Sequence, residues 1–206
     1  MRLRKPAEQR REEIILATLS LASRQGPDQV TTEAVAAEIG ITQAAVFRHF
    51  PRKADIWEAV IGWLRDRMVQ RWCDAAPPHL SPPPRLRAVL AAQFIFIDHF
   101  PALPALLLSQ GLDGKRGTVR EGLLGIMGTF KTALSAILAE GRADGHFRTD
   151  LDVDRAASVL LAVAQGTAVR WSLMGRRFDL TAEGLAAVDL VLDGLRPACG
   201  KDGNPG

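Results

Sequence analysis

Tyrosine is absent from this chain, and aromatic residues make up only 6% of its 206 positions. Cysteine occurs twice, at Cys73 and Cys199, far apart and without the spacing of a metal site. No disulfide framework is therefore expected, and reduced thiols are. No uninterrupted run of about 18 uncharged apolar residues is present, which argues against a membrane span. The basic start, MRLRKPAEQRREE, leads into a charged helix and not into an apolar signal core, so the protein is expected in the cytoplasm. The four histidines (His49, His79, His99 and His146) fall in no HExxH, and GxSxG and CxxC are missing. His99 adjoins Asp98, but adjacent residues on a helix point apart. Gly111 to Lys115 looks faintly like a phosphate loop. It lacks the first glycine at the right distance, the Ser/Thr after the lysine and a preceding strand. No catalytic residue, metal or cofactor is expected.

The composition present is that of an ordinary globular protein, 47% hydrophobic and 24% charged. Its net charge is only +3, but the charge is unevenly placed. Residues 1–53 carry nine Lys/Arg against six Asp/Glu, whereas the rest of the chain carries 17 of each. A basic N-terminal segment beside a neutral remainder is the footprint of a phosphate-binding module. Arg2, Arg4 and Lys5 precede the first helix, either as a tail or as an extra phosphate contact.

The basic segment contains VTTEAVAAEIGITQAAVFRHFPRK, Val30 to Lys53. Thr31 is placed to cap a helix, with Thr32 and Glu33 in its first turn. Val35, Ala36 and Ile39 give one apolar face. Gly40 supplies the left-handed residue that ends such a helix, and Ile41 plugs the turn. Thr42 caps a second helix, Gln43 to His49, which Pro51 stops. The spacing fits a DNA-binding helix-turn-helix, and any helical hairpin of an all-α core shares it. The second helix tips the balance. Val46 and Phe50 point inward. Gln43, Ala44, Ala45, Phe47, Arg48 and His49 leave small residues for close approach and polar ones to reach bases or phosphates.

Around this stretch the pattern predicts an all-α chain of about nine helices. The first covers residues 7–25, with Ile14, Thr18, Leu21 and Ala22 on one side. A fourth, from Lys53 to about residue 74, carries a stripe of Ile56, Trp57, Val60, Leu64 and Met68, with Arg52 and Lys53 near phosphate at its start. It leads from the first domain (1–53) into the second (54–206). Residues 75–84, AAPPHLSPPP, read as a loop. Helices follow at about 83–100, 103–110, 116–143, 153–174 and 182–195. In the longest, Gly122, Gly125 and Gly128 each cost about 1 kcal/mol relative to Ala. Either close helix packing or a ligand cavity offsets that cost. The last two helices are apolar on more than one face, as a two-fold interface with a second chain would require.

These residues resemble the TetR family of bacterial transcriptional regulators. The likeness is specific over residues 14–58: Gly26 after an apolar helix, Thr31, Val35-Ala36, Gly40-Ile41-Thr42, Phe47-Arg48-His49-Phe50 and Lys53. Phe47 stands where the family usually has a tyrosine, so a phosphate contact is missing or passes to Arg48 or His49. Ala22 stands where a larger aromatic is common. The resemblance implies a homodimeric repressor on a roughly palindromic operator in double-stranded DNA. Thr31, Thr42, His49 and Lys53 would hold phosphates, and Gln43, Ala44, Ala45 and Arg48 would face bases. It also implies a small apolar effector between the fourth and eighth helices, near Phe94, Phe96, Met127, Phe130, Gln165 and Trp171. Gln165 and His99 are its polar candidates, because a buried amide or imidazole needs a partner. The rival is a DNA-binding factor with no effector, architectural or protein-partnered.

Overall fold

The computed structural model describes residues 6–109 and 118–197, and among them the chain forms nine α-helices and no strand. The expectations for Arg2, Arg4 and Lys5, for Gly111 to Lys115, and for Cys199 with the tail lie outside the described residues.

Helix α1 (Ala7–Gln25) buries Ile14, Ile15, Thr18, Leu19, Leu21 and Ala22. The Thr18 hydroxyl donates to the Ile14 carbonyl at 2.8 Å, so a polar group sits in the core without being orphaned. Gly26 (φ 86°) ends the helix and a single 3₁₀ turn, Pro27–Gln29, leads on. The two short helices α2 (Thr32–Glu38) and α3 (Gln43–His49) follow. Helix α4 (Lys53–Ala75) buries the expected stripe and adds Ile61 and Trp72. It packs on α1 at one end and on α5 (Pro82–His99) and α7 (Thr118–Ala143) along the rest. Helices α6 (Leu103–Leu108), α8 (Val153–Leu173) and α9 (Leu180–Leu195) complete the bundle.

Two helix starts differ from the sequence reading. Pro82 to Pro84, read as the end of the loop and, from 83, as the start of the helix, form the first turn of α5. Those positions have no intrahelical N–H bond to lose, so proline is tolerated there. Helix α9 starts earlier than its apolar stripe, at Leu180, because Asp179 caps it by accepting from Ala182 N–H at 2.9 Å. The segment Val119–Ala143 is, by length and composition, apolar enough to cross a membrane. Lys131 and Glu140 still keep it from an uninterrupted uncharged run, and one face packs against α4, α5 and α8 with about a third of the apolar window buried.

The glycines of α7 divide. A Cβ at Gly122 would lie 2.6 Å from Ile61 of α4, which is the close packing that offsets its cost. Gly125 and Gly128 have nothing within 4 Å and floor an open groove between α4, α5 and α7.

Polar ties join the first three helices to the bundle. Glu12 accepts from Trp63 Nε1 at 3.1 Å and from Arg67 at 2.9 Å. Ser109, after α6, donates to Asp28 at 2.5 Å. Arg176, in the α8–α9 turn and left-handed at φ 62°, donates to the carbonyl and hydroxyl of Ser23 at 3.0 Å. Helices α8 and α9 leave Val159, Leu173 and Leu190 exposed, the last two by more than three quarters.

Candidate DNA-binding face and ligand cavity

The α2–α3 turn is built from local chemistry. The Thr31 hydroxyl accepts from Ala34 N–H at 3.1 Å, and the Thr42 hydroxyl accepts from Ala45 N–H at 3.2 Å. Gly40 takes φ 65°, which lets Ile41 N–H reach the Ala36 carbonyl at 2.9 Å and Gly40 N–H reach Ala37 at 3.1 Å. This is a Schellman closure, and it turns the chain within two residues. Val46 and Phe50 anchor α3 in the core.

The outward side of α3 carries Ala44, Phe47 and Arg48 exposed, with Gln43, Ala45 and His49 half-buried. Thr31, Thr42 and Lys53 are exposed around it. Arg48 and Lys53 form no ion pair among the described residues. Arg52 differs from its expected freedom. Its backbone N–H donates to Asp55 at 2.9 Å and its guanidinium pairs with the same carboxylate, which raises its pKa further. Gln43 is also engaged. Its Nε2 donates to the Thr32 hydroxyl at 2.8 Å and to the Glu33 carboxylate. Glu33 is held below the usual carboxylate value, first by a backbone hydrogen bond and then by the Thr31 and Thr32 hydroxyls and Gln43.

Sequence reading missed the share of α1 in this face. Pro6, Ala7 and Arg10 of the N-terminal end meet Ile41, Ala45, Arg48 and His49 around an open crevice. Arg11 donates to the His49 carbonyl at 2.6 Å and stacks over the Phe50 ring at 4.1 Å, so it braces the end of α3. Burial, and after it the charges of Arg11, Arg10 and Arg48, pushes the His49 imidazole below its ordinary pKa. The excess of positive charge before residue 53 was the available signal for Arg10 and Arg11. Their contact with α3 needs the packing angle of α1, which no local pattern gives.

The bundle encloses a cavity of about 60 Å³ between α4, α5, α6, α7 and α8. Met127, Phe130 and Gln165 line it as expected residues, joined by Met68, Trp72, Gln93 and Leu103. The other four candidates are placed elsewhere. Phe94 is buried against Gly184 of α9. Phe96 stacks with Phe100 and under Arg71. Trp171 turns toward the α8–α9 connection and donates to the Phe178 carbonyl at 3.1 Å. His99 is exposed at the end of α5, its Nδ1 2.8 Å from the Ile95 carbonyl, so it is no buried imidazole in need of a partner. The polar residue that sequence reading overlooked is Gln93. It is buried, and its Oε1 accepts from Trp72 Nε1 at 2.9 Å. Trp72 also stacks on Phe130, with ring centroids 4.6 Å apart, and forms the wall between this cavity and the outer groove over Gly125 and Gly128. No charged side chain of the described residues lines the cavity. No cluster of metal-ligating side chains occurs among them either.

Comparison with known proteins decides the family. Residues 14–60 match the model of bacterial regulatory proteins of the tetR family, and residues 82–182 match a tetracyclin repressor-like C-terminal domain. The chain belongs to the TetR family. Its helix-turn-helix and helical second domain are those of a TetR-family DNA-binding transcriptional regulator. Among curated relatives it is similar to the nucleoid occlusion factor SlmA of Shewanella amazonensis. The two are 29% identical over 157 residues, covering 76% of this chain and 80% of that one. Among solved structures it shares its fold with a TetR transcription regulator from Haloarcula marismortui (TM-score 0.79, 22% identity, 91% and 98% of the two chains). It also shares its fold with the transcriptional regulator FadR from Bacillus subtilis in complex with stearoyl-CoA (TM-score 0.76, 19% identity, 90% and 99%).

Proposed function

We propose that this TetR-family regulator is a ligand-responsive homodimeric repressor of a roughly palindromic operator, acting in the cytoplasm. Residues 1–53 are its DNA-binding head and residues 54–206 its effector and dimerisation body. The exposed apolar residues Val159, Leu173 and Leu190 supply the face on which a second copy would pack. Thr31, Thr42, His49 and Lys53 take phosphates, together with Arg10. Arg48, Ala44 and Ala45 face bases. Gln43, as it is held, has both amide hydrogens engaged on α2, so its carbonyl oxygen is the group left to accept from a base.

The observation that carries the switch is the double service of α4. Trp63 and Arg67 hold Glu12 of the head, and Met68 and Trp72, the next turns of the same helix, wall the cavity. A ligand that moves the wall moves the head. Coupling of about 1–3 kcal/mol is usual for such a link. The bound stearoyl-CoA of Bacillus subtilis FadR supports a ligand site in a protein of this fold.

A second reading, a DNA-binding factor without effector, is favoured by the small size of the cavity, well below the several hundred Å³ of ordinary ligand sites. The similarity to a nucleoid occlusion factor also favours it. Selection of bound duplexes from a random pool tests the DNA half, with a palindrome expected. Lys53→Ala should weaken all sequences alike and reduce the salt slope by roughly 1. Gln43→Ala should relax sequence choice by about 1–3 kcal/mol. Equal behaviour of the two variants would remove the assigned roles. A thermal-shift screen in which no stabilising compound also releases DNA would leave the second reading standing.

A further inference from the structure

The cavity has a defined polarity. Trp72 Nε1 is a donor and nothing else. By donating to Gln93 it fixes which end of the amide is oxygen, at 2.9 Å. Gln93 therefore presents its NH₂ group to the remaining surroundings, where it has no protein partner among the described residues. This group sits on a buried side chain in the wall of an otherwise apolar cavity. Its Nε2 is not sealed from water, since Arg85 Nε is the one buried and unpaired side-chain atom among the described residues, so an acceptor that takes its hydrogens competes with water. The other amide in the wall among the described residues, Gln165, is half-buried and reaches water.

We propose that the cavity selects uncharged apolar molecules carrying a hydrogen-bond acceptor, such as a ketone or ester carbonyl, which takes the Gln93 Nε2 hydrogens. Trp72 is the positioning residue that sets this preference. Anionic ligands are disfavoured beside Gln93, because among the described residues no cation lines the wall to receive a carboxylate or phosphate. The proposal rests on the ligand-responsive reading above and names the chemistry of its ligand.

The test is calorimetric titration of the full chain with three matched probes: acetophenone, ethylbenzene and phenylacetate. The wild type should bind acetophenone about fivefold to tenfold more tightly than ethylbenzene, and phenylacetate most weakly. Gln93→Leu should make the ketone and the hydrocarbon nearly equal by weakening the ketone alone. Gln93→Met should do the same if the leucine variant fails to fold. Trp72→Phe keeps a ring but frees the amide to turn, so the ketone preference should fall while ethylbenzene affinity stays. A merely structural role for Trp72 would shift all probes together. Equal binding of ketone and hydrocarbon by the wild type, binding of none of the probes, or a preference that survives loss of Gln93 would overturn the proposal. Release of operator DNA is read separately. Selectivity without release keeps this assignment and removes the switch. Release by a ligand indifferent to Gln93 does the reverse.

Discussion

The helix-turn-helix and the helical bundle use glycine in opposite ways. In the first, Gly40 is needed for its own backbone angle, and Thr31 and Thr42 act on amides three residues away. In the second, Gly184 and Gly122 are needed for what a distant helix places against them. A Cβ at Gly184 would meet the Phe94 ring at 2.4 Å. One region is therefore specified along the chain and the other across it. The contrast explains why the head has a readable motif and the body has none.

Substitutions can break or sharpen that contrast. The largest effect is expected at Leu64, fully buried in α4 where both regions lean on one helix. Leu64→Ala should cost about 2–5 kcal/mol in denaturant unfolding. Next comes Gly184→Ala. The phenyl ring must move, and a loss of about 1–3 kcal/mol is expected. An unchanged midpoint would mean that α5 and α9 separate freely and that packing does not specify the body. Thr42→Ala removes a cap and should cost about 1 kcal/mol, with sequence-specific DNA binding weakened in step. Gly125→Ala has the opposite sign. The site is open, so helix propensity alone acts and the protein should gain about 0.5–1 kcal/mol. A loss there would show that the outer groove is filled in solution.

The smallest effect concerns His49. Its pKa is lowered in the folded chain by burial and then by Arg11, Arg10 and Arg48. The unfolded chain therefore binds the proton more readily, and stability contributed by this group is present above the ordinary histidine value and lost as pH falls through the shifted one. DNA should act in the other direction. A phosphate oxygen beside the ring raises its pKa, the complex takes up a proton, and affinity increases on acidification. His49→Asn should flatten both dependences, measured as melting temperature and as operator affinity across the histidine range.

Much of the fold was legible because its boundaries are marked by residues with one physical use. Pro51, Gly26 and Gly40 end helices where the sequence places them, and α1 spans the residues its apolar period predicted. The basic excess before residue 53 was readable as composition. The crevice of Arg10, Arg48 and His49 was not, since it depends on how α1 crosses α3. The ligand candidates were harder still. Phe94, Phe96 and Trp171 share their helical spacing with cavity residues, and a stripe does not say whether its neighbour is a space or a side chain. His99 was chosen as a polar group on an apolar helix, but it lies at the last turn, where the stripe has run out into solvent. Gln93 was hidden by the same logic in reverse, one polar residue inside an apolar run.

The bonds of Glu12, Asp28 and Ser23 to the bundle come from three separate elements: α4, the end of α6 and the α8–α9 turn. A rigid shift of the head against the bundle must therefore lengthen at least one of these bonds. Arg176 is the one of the three whose backbone already takes a left-handed angle, so it is the tie whose release also relieves backbone strain.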